Sequence, residues 1–320
     1  MPASRPQSGL VADIGGTHAR FAAVDPDGRL ATPESLPVAD YPGVVEAARA
    51  YLGDNRPEAL VFAVAGPVTD GRIHFTNSGW AFSEAELRDK LGVRHARLIN
   101  DFEAQARGVA HLPAASLLHL GGPSEFDARA DGTIALVGPG TGLGVGGLAR
   151  AGQCEIALVT EGGHASLAPA DEEEVAILKV LMKRFGHVSA ERVLSGPGLV
   201  NLFEAMSEVE STIRTPPEPA TITEKAKREP ASFEGRVFAR FCAMLGSVAG
   251  DVALVTGARK GVLIAGGILP DAADTLRASD FRKRFEAKGR FAGYLRAIPT
   301  LLILEPNAGL IGAASVLEPG

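Results

Sequence analysis

The sequence predicts an α/β protein of about two domains. Its 320 residues exceed one compact domain, which usually runs ~100–200 residues. Apolar runs of strand length alternate with helix-period segments along the whole chain. The strands read as continuous apolar stretches rather than alternating ones, as strands buried on both faces do. With 46% hydrophobic and 22% charged residues, a sizeable core is within reach. Only 6% of residues are aromatic and 38 are glycine, so small side chains and turns carry much of the design. No sharp linker divides the chain, and the polar stretch 111–131 is the candidate domain boundary.

Residues 10–14 form the first apolar run, followed by Gly15-Gly16-Thr17 and a second run over 19–24. The pattern is strand, glycine-rich turn, strand, closed by the turn Asp25-Pro-Asp-Gly28. A helix is predicted over 44–52, a buried strand over 59–64 and a short strand over 73–75. Ser83 opens a helix, because Glu86 stands where a reciprocal capping box needs it. Residues 97–99 make a strand that delivers Asn100 and Asp101 at its carboxyl end, and another helix begins at Asp101.

The second half repeats the opening pattern, though not its residues. A strand over 133–137, the turn Gly138-Pro-Gly-Thr-Gly142 and a return strand over 145–148 mirror the first hairpin. A strand over 155–159 leads into Glu161-Gly-Gly-His164. Asp171 caps a helix whose first turn is Glu172-Glu173-Glu174 and which Gly186 ends. Pro197 suits the first turn of a helix running to Met206. Residues 207–231 carry Pro216, Pro217, Pro219 and Pro230 and read as an exposed loop or ragged helices. A long helix over 233–256 precedes a strand over 261–265 and Gly266-Gly267. A strand over 301–304 and a small-residue helix over 308–316 close the chain.

Composition narrows the function classes. A net charge of −6 offers no basic footprint for nucleic acid or anionic lipid. The densest basic stretch, Arg282-Lys283-Arg284 with Lys288 and Arg290, is interrupted by Phe281, Phe285 and Phe291 and reads as the solvated side of an amphipathic helix. Cys154 and Cys242 are far apart, belong to no CxxC pair and read as reduced, buried thiols. Residues 1–8 lack the apolar core of a signal peptide. The uncharged run 132–149 holds seven glycines and a proline, which suits a turn-rich segment better than a membrane helix. A soluble protein that stays where it is made is expected.

Three glycine-rich turns at strand ends carry the strongest chemical signal: Asp13-Ile-Gly-Gly-Thr17, Gly138-Pro-Gly-Thr-Gly-Leu-Gly144 and Ala265-Gly-Gly267. Phosphate binding needs backbone N–H groups to converge on an anion, and glycine permits both the turn and the close approach. No GxxxxGK[ST] loop occurs. A formal G-x-G-x-x-G at Gly142, Gly144 and Gly147 lies in a predicted strand rather than opening a helix, so a dinucleotide reading is set aside. Asp13 either forms a turn or orients Mg²⁺ through water beside the phosphates. Asn100 and Asp101 either cap a helix or face a ligand at the strand's carboxyl end. Glu161 and His164 admit a metal pair, a pH-sensitive pair or a polar clamp on sugar hydroxyls, and no third metal ligand stands near. Glu191 reads as a surface helix residue on periodicity alone.

Taken together, these segments resemble the bacterial glucokinase family, within the actin-like (sugar kinase/Hsp70, ribonuclease H-like) ATPase fold. The similarity rests on Asp13-Ile-Gly-Gly-Thr-His-Ala-Arg20, Thr76-Asn77 with Trp80-Ala-Phe-Ser83, Leu98-Ile-Asn-Asp-Phe102, Gly140-Thr-Gly-Leu-Gly144 and Glu161-Gly-Gly-His164. It continues through His187-Val-Ser-Ala-Glu-Arg-Val-Leu-Ser-Gly-Pro-Gly198, Ile264-Ala-Gly-Gly267 and Lys288-Gly-Arg-Phe291, and so spans nearly the whole chain. The resemblance implies a small α/β domain of residues 1–112 with 301–320, a large one of residues 113–300, and a cleft between them. It implies ATP at Ala12, Asp13, Ile14, Gly15, Gly16 and Thr17, phosphate contacts near Thr141 and Gly142, and adenosine near Gly266 and Gly267. By the same carry-over Asn100, Asp101, Glu161, His164 and Glu191 line the sugar site, which replaces the surface reading of Glu191. Asp101 would take the proton from the C6 hydroxyl of D-glucose, giving glucose 6-phosphate. Mg²⁺ would travel with the nucleotide and no protein metal site is implied. A cytoplasmic homodimer is the family expectation. His18 stands where the family often has Asn, and the cysteine-rich zinc motif of the related ROK kinases is absent. A kinase for another hexose and a non-catalytic sugar sensor are the alternatives. The retained Asp101 argues against the second.

Overall fold

The computed structural model describes residues 9–75 and 79–317. The described residues up to Pro113, together with those from Glu305, form one compact unit, and Ala114–Leu304 form another. Thr76 and Asn77 lie outside the described residues.

In the first unit β1 (Gly9–Ile14), β2 (His18–Val24) and β3 (Glu34–Pro37) form an antiparallel meander. Then come α1 (Val44–Leu52), β4 (Ala59–Val64), the hairpin β5 (Arg72–His74) and β6 (Ala81–Ser83), α2 (Glu84–Leu91), β7 (His95–Asn100) and α3 (Asp101–Gly108). The sheet order is β3-β2-β1-β4-β7, with β1, β4 and β7 parallel. Both faces of β1 and β4 are covered, which is why they read as nearly unbroken apolar runs, whereas His95 and Arg97 of β7 are exposed. Leu10, Ile14, Phe62 and Leu98 enter one core with Leu52 and Leu87. Val11, Val61, Ala63 and Ile99 enter a second core with Ala104, Leu310 and Ala313. At α2 the capping box closes only halfway. Ser83 accepts a hydrogen bond from the Glu86 N–H at 3.2 Å, while the Glu86 carboxylate turns away to Lys90 at 2.6 Å.

The second unit contains β8 (Leu117–Gly121), β9 (Gly132–Pro139), β10 (Leu143–Ala151), β11 (Cys154–Thr160), α4 (Glu172–Phe185), α5 (Gly196–Val209), α6 (Pro219–Arg228) and α7 (Phe233–Thr256). It ends with β12 (Gly261–Ile264), α8 (Ala273–Ala278), α9 (Phe281–Glu286), α10 (Ala292–Arg296) and β13 (Thr300–Ile303), after which α11 (Ala308–Ser315) rejoins the first unit. The sheet order is β11-β10-β9-β12-β13-β8. Its first five positions repeat the plan of the other sheet, an antiparallel meander followed by two parallel strands. The duplication read from one hairpin therefore extends through a whole sheet.

Several expectations change. Strand β13 hydrogen-bonds to β12 and β8, so only the last helix, and not the last strand, rejoins the first unit. Within the stretch 111–131, β8 is a paired strand. Helix α6 is regular, with a proline in its first turn, and buries Ile222 and Ala226. Cys154 is exposed on β11, whereas Cys242 is buried and its thiol is pushed up to about 12. Helix α7 has the length and hydropathy of a membrane span, yet its Val237, Phe238, Phe241 and Leu245 are fully buried in the core of the second unit.

Part of the basic stretch also turns inward, while Lys283 and Arg290 stay exposed. Arg284 donates to Glu174 at 2.7 and 2.9 Å and to Ser247 at 3.1 Å, and Arg240 reaches the same carboxylate at 3.1 Å. Glu174 is 1% exposed, so these guanidinium groups are what make its burial tolerable. Arg284→Met is expected to cost about 3 kcal/mol of unfolding free energy by denaturant titration. That is the low end for breaking a buried pair, because Arg240 remains.

Candidate active site

The register Ile14↔Val64 and Val64↔Asn100 aligns the carboxyl ends of β1, β4 and β7 at one edge of the first sheet, the usual ligand-binding edge of a parallel sheet. There Gly15 donates its N–H to the His18 carbonyl at 3.0 Å and Ala65 donates to Ile14 at 3.0 Å. Gly16 and Thr17 are exposed at the tip of the turn, with Ala12 and Ile14 buried beneath it. The space beside Gly15 is open, since a Cβ there would meet only the His18 carbonyl, at 3.6 Å. Burial pushes the Asp13 carboxyl above its usual range, against the pull of Arg20. Its Oδ2 lies 3.3 Å from where a Cβ on Gly309 would stand, beside the first turn of α11.

The alternatives at Asn100 and Asp101 separate here. Asn100 is the N-cap of α3: its Oδ1 accepts from the N–H groups of Phe102 at 2.9 Å and Glu103 at 3.3 Å. Its Nδ2 donates to the Gly66 carbonyl at 3.2 Å, which leaves one amide hydrogen for another partner. Asp101 is the first helical residue, and its Oδ1 accepts from the Phe102 N–H at 3.0 Å. Asn100 therefore supplies the N-cap of α3, and Asp101 shares the Phe102 N–H with it.

In the second unit the turn between β9 and β10 closes through Gly140 N–H to Gly142 O at 2.8 Å, and Gly196 N–H ties it to the start of α5 at 2.8 Å. Gly144 and Gly147 lie inside strand β10, so no helix opens in the G-x-G-x-x-G. Thr141 is exposed at the tip of this turn. Glu191, in a 3-10 turn, accepts the Leu143 N–H on Oε2 at 2.8 Å. The His164 ring lies between two carboxylates, 3.9 Å from Glu161 Oε2 and 3.8 Å from Glu191 Oε1. These separations are too long for direct hydrogen bonds and leave room for hydroxyl groups to bridge. Gly163 must be glycine, because a Cβ there would stand 2.0 Å from the Leu143 carbonyl. The loop is stitched to residues 187–190 by Leu167 N–H to Val188 O at 3.0 Å and Ala190 N–H to Ala165 O at 2.9 Å. His187 Nε2 adds a 3.3 Å contact to the His164 carbonyl.

At the other end of the same turn, Gly266 adopts φ +87° and packs so closely that a Cβ would fall 2.2 Å from the Pro139 carbonyl. Around Gly267 nothing stands within 4 Å of a Cβ position. Thus Glu161, His164 and Glu191 gather beside Gly142 and Leu143, at the end of the turn that carries Thr141, while Gly266 packs on Pro139 at its start. Among the described residues no group of three His, Cys, Asp or Glu side chains could hold a metal ion. The Leu143 amide and His187 are the partners that the sequence reading missed. A backbone amide carries no sequence signal, while His187 opens a motif from which only Glu191 was taken.

A family model described as Glucokinase matches residues 10–319. The chain belongs to the glucokinase family. The glucokinase of Caulobacter sp. strain K31 is 47% identical over 317 residues, covering 97% of this chain and 95% of the relative. That of Paramagnetospirillum magneticum is 46% identical over 313 residues, covering 96% and 97%. Among solved structures, a glucokinase from an Antarctic psychrotroph is 36% identical with a TM-score of 0.85, covering 97% of this chain and 98% of its own. A glucokinase from Balamuthia mandrillaris in complex with glucose has a TM-score of 0.76 over 98% of this chain and 94% of its own. At 20% identity that likeness bears on the fold alone. The two-unit α/β plan is the actin-like ATPase fold shared by glucokinases and ROK sugar kinases.

Proposed function

We propose that Asp101 is the general base of an ATP-dependent phosphorylation of glucose in which Asn100, Glu161, His164 and Glu191 hold the sugar. The activity is that of the glucokinase family, to which relatives of up to 47% identity over nearly the full length belong. The observation that carries the residue assignment is the imidazole of His164 set between Glu161 and Glu191 at 3.9 and 3.8 Å. Two acceptors flanking one ring suit a row of neighbouring hydroxyls. A hydroxyl missing from such a site strands polar groups at ~1–3 kcal/mol each, so the arrangement selects among sugars.

Asp101 takes the proton of the C6 hydroxyl as its oxygen forms a bond to the γ-phosphorus and the bond to the ADP oxygen breaks. The N–H groups of Gly16 and Thr17, and those of Thr141 and Gly142, hold phosphate oxygens, Gly15 gives them room by lacking a side chain, and beside the close-packed Gly266 the open Gly267 leaves room for adenosine. ATP carries Mg²⁺, which neutralises charge on the β- and γ-phosphates. Asp13 suits a water-mediated contact to that cation, since it stands at the end of β1, two residues before the open turn at Gly15. The same reading takes the protein as a cytoplasmic homodimer. Light scattering on the purified chain tests the dimer, and a monomeric mass would remove it.

Glu161→Gln and His164→Ala are expected to raise KM for glucose ~5–150-fold, the span of ~1–3 kcal/mol, with KM for ATP nearly unchanged. Equal effects on both substrates would make this loop merely structural. A coupled ADP-release assay over glucose, fructose, mannose and N-acetylated hexoses should show glucose as the preferred acceptor.

A further inference from the structure

We propose that Glu191 is also a positioning residue for the phosphate turn, so that one carboxylate links the sugar subsite to the nucleotide subsite. The inference rests on the reading of Glu191 as a sugar ligand. Its two oxygens face different tasks. Oε1 lies 3.8 Å from His164 Nδ1, on the side of the hydroxyl-binding cluster. Oε2 accepts the Leu143 N–H at 2.8 Å, immediately after the turn that Gly140 and Gly142 close. Gly142 bears the imprint of this contact, because a Cβ there would lie 2.5 Å from Glu191 Oε2. The carboxylate occupies the volume a side chain at position 142 would need.

The backbone of Glu191 is held at its carbonyl, and its side chain at one oxygen. The Glu191 carbonyl accepts from Ser195 Oγ at 2.9 Å, and Ser195 in turn caps α5 through the Gly198 N–H at 3.0 Å. The side chain is 32% exposed, with Oε2 on the Leu143 N–H and Oε1 turned toward His164. Ordering the carboxylate through Oε1 on a sugar hydroxyl therefore holds Oε2 on Leu143, and ordering the turn on phosphate has the converse effect. Whichever ligand binds first bears the ordering cost for both. The link must act equally in both directions, as any coupling between binding equilibria does.

Calorimetric titration of the full chain with Mg²⁺ and the non-transferable analogue AMPPNP, with and without saturating glucose, reads this link. Glucose should tighten AMPPNP binding ~5–10-fold in the native protein, the lower part of the usual coupling range. Glu191→Ala should bring that factor to about 1 while weakening glucose, and Glu191→Gln, which keeps an acceptor for Leu143, should retain most of the factor. Gly142→Ala should raise the Kd for glucose several-fold although residue 142 lies on the phosphate turn. No change in AMPPNP affinity with glucose, or full coupling in Glu191→Ala with weakened glucose, overturns the positioning role and leaves the sugar assignment standing. Native glucose affinity in Glu191→Ala instead overturns the assignment itself. If Glu191→Ala does not fold, Gly142→Ala decides, and an unaltered glucose Kd there defeats the proposal.

Discussion

Asp101→Asn is expected to lower kcat ~10²–10⁴-fold while leaving the Kd for glucose within a factor of about three. Asparagine matches aspartate in size, and its Oδ1 can still accept the Phe102 N–H that Asp101 accepts at 3.0 Å. The cap of α3 belongs to Asn100, so the helix start survives the change. What is lost is a carboxylate able to take a proton. The drop stays below that for removing a nucleophile because phosphoryl transfer asks little of a base before the P–O bond to the leaving group has loosened. An interaction made only in the transition state should depress kcat and kcat/KM together. Single-turnover rates with glucose and ATP separate chemistry from product release, and a near-native rate in Asp101→Asn would remove Asp101 from the role.

Read alone, the sequence left this residue open between a helix cap and a ligand contact, and only the family resemblance proposed it as the base. Local chemistry set the bounds of α7, for instance, between the capping Ser232 and the left-handed Gly257. The unbroken apolar run of β4 was equally plain. Non-local pairing was not legible. The four residues of β13 cannot announce which sheet they will join, and their hydrogen bonds to β12 and β8 moved that strand out of the first unit. Prolines hid α6, although Pro219 stands in the one turn of a helix that tolerates it. The inward turn of Arg284 depends on Glu174, 110 residues before it in the chain. The site divides the same way. Glycine turns and strand-end carboxylates were visible one by one, whereas the bond from Glu191 to an amide 48 residues away exists only in the fold.

Gly312→Ala should be among the most damaging single changes in the protein, although it adds one methyl group to a helix. Alanine is the better helix former by ~0.5–1 kcal/mol, so propensity alone predicts a gain. Packing decides otherwise. A Cβ on Gly312 would stand 1.7 Å from the Ala104 carbonyl oxygen and 2.8 Å from the Gly108 nitrogen, and one on Gly108 would stand 2.3 Å from the Ala308 carbonyl. These are backbone atoms of α3 and α11, so no side chain can swing away, and the helices must separate. Overpacking of this kind costs ~1–3 kcal/mol, and the value here should reach or exceed the top of that range. The strain falls on the helix that begins at Asp101, where a displacement of about 1 Å is enough to cost ~10²-fold in rate. Lower stability and lower kcat/KM should therefore appear together. Gly293→Ala in α10 is the control, because nothing lies within 4 Å of its Cβ position and propensity should prevail there. If Gly312→Ala unfolds at the native temperature, α3 and α11 do not cross through these glycines, and the route from the last helix to the proposed base, Asp101, is lost with them.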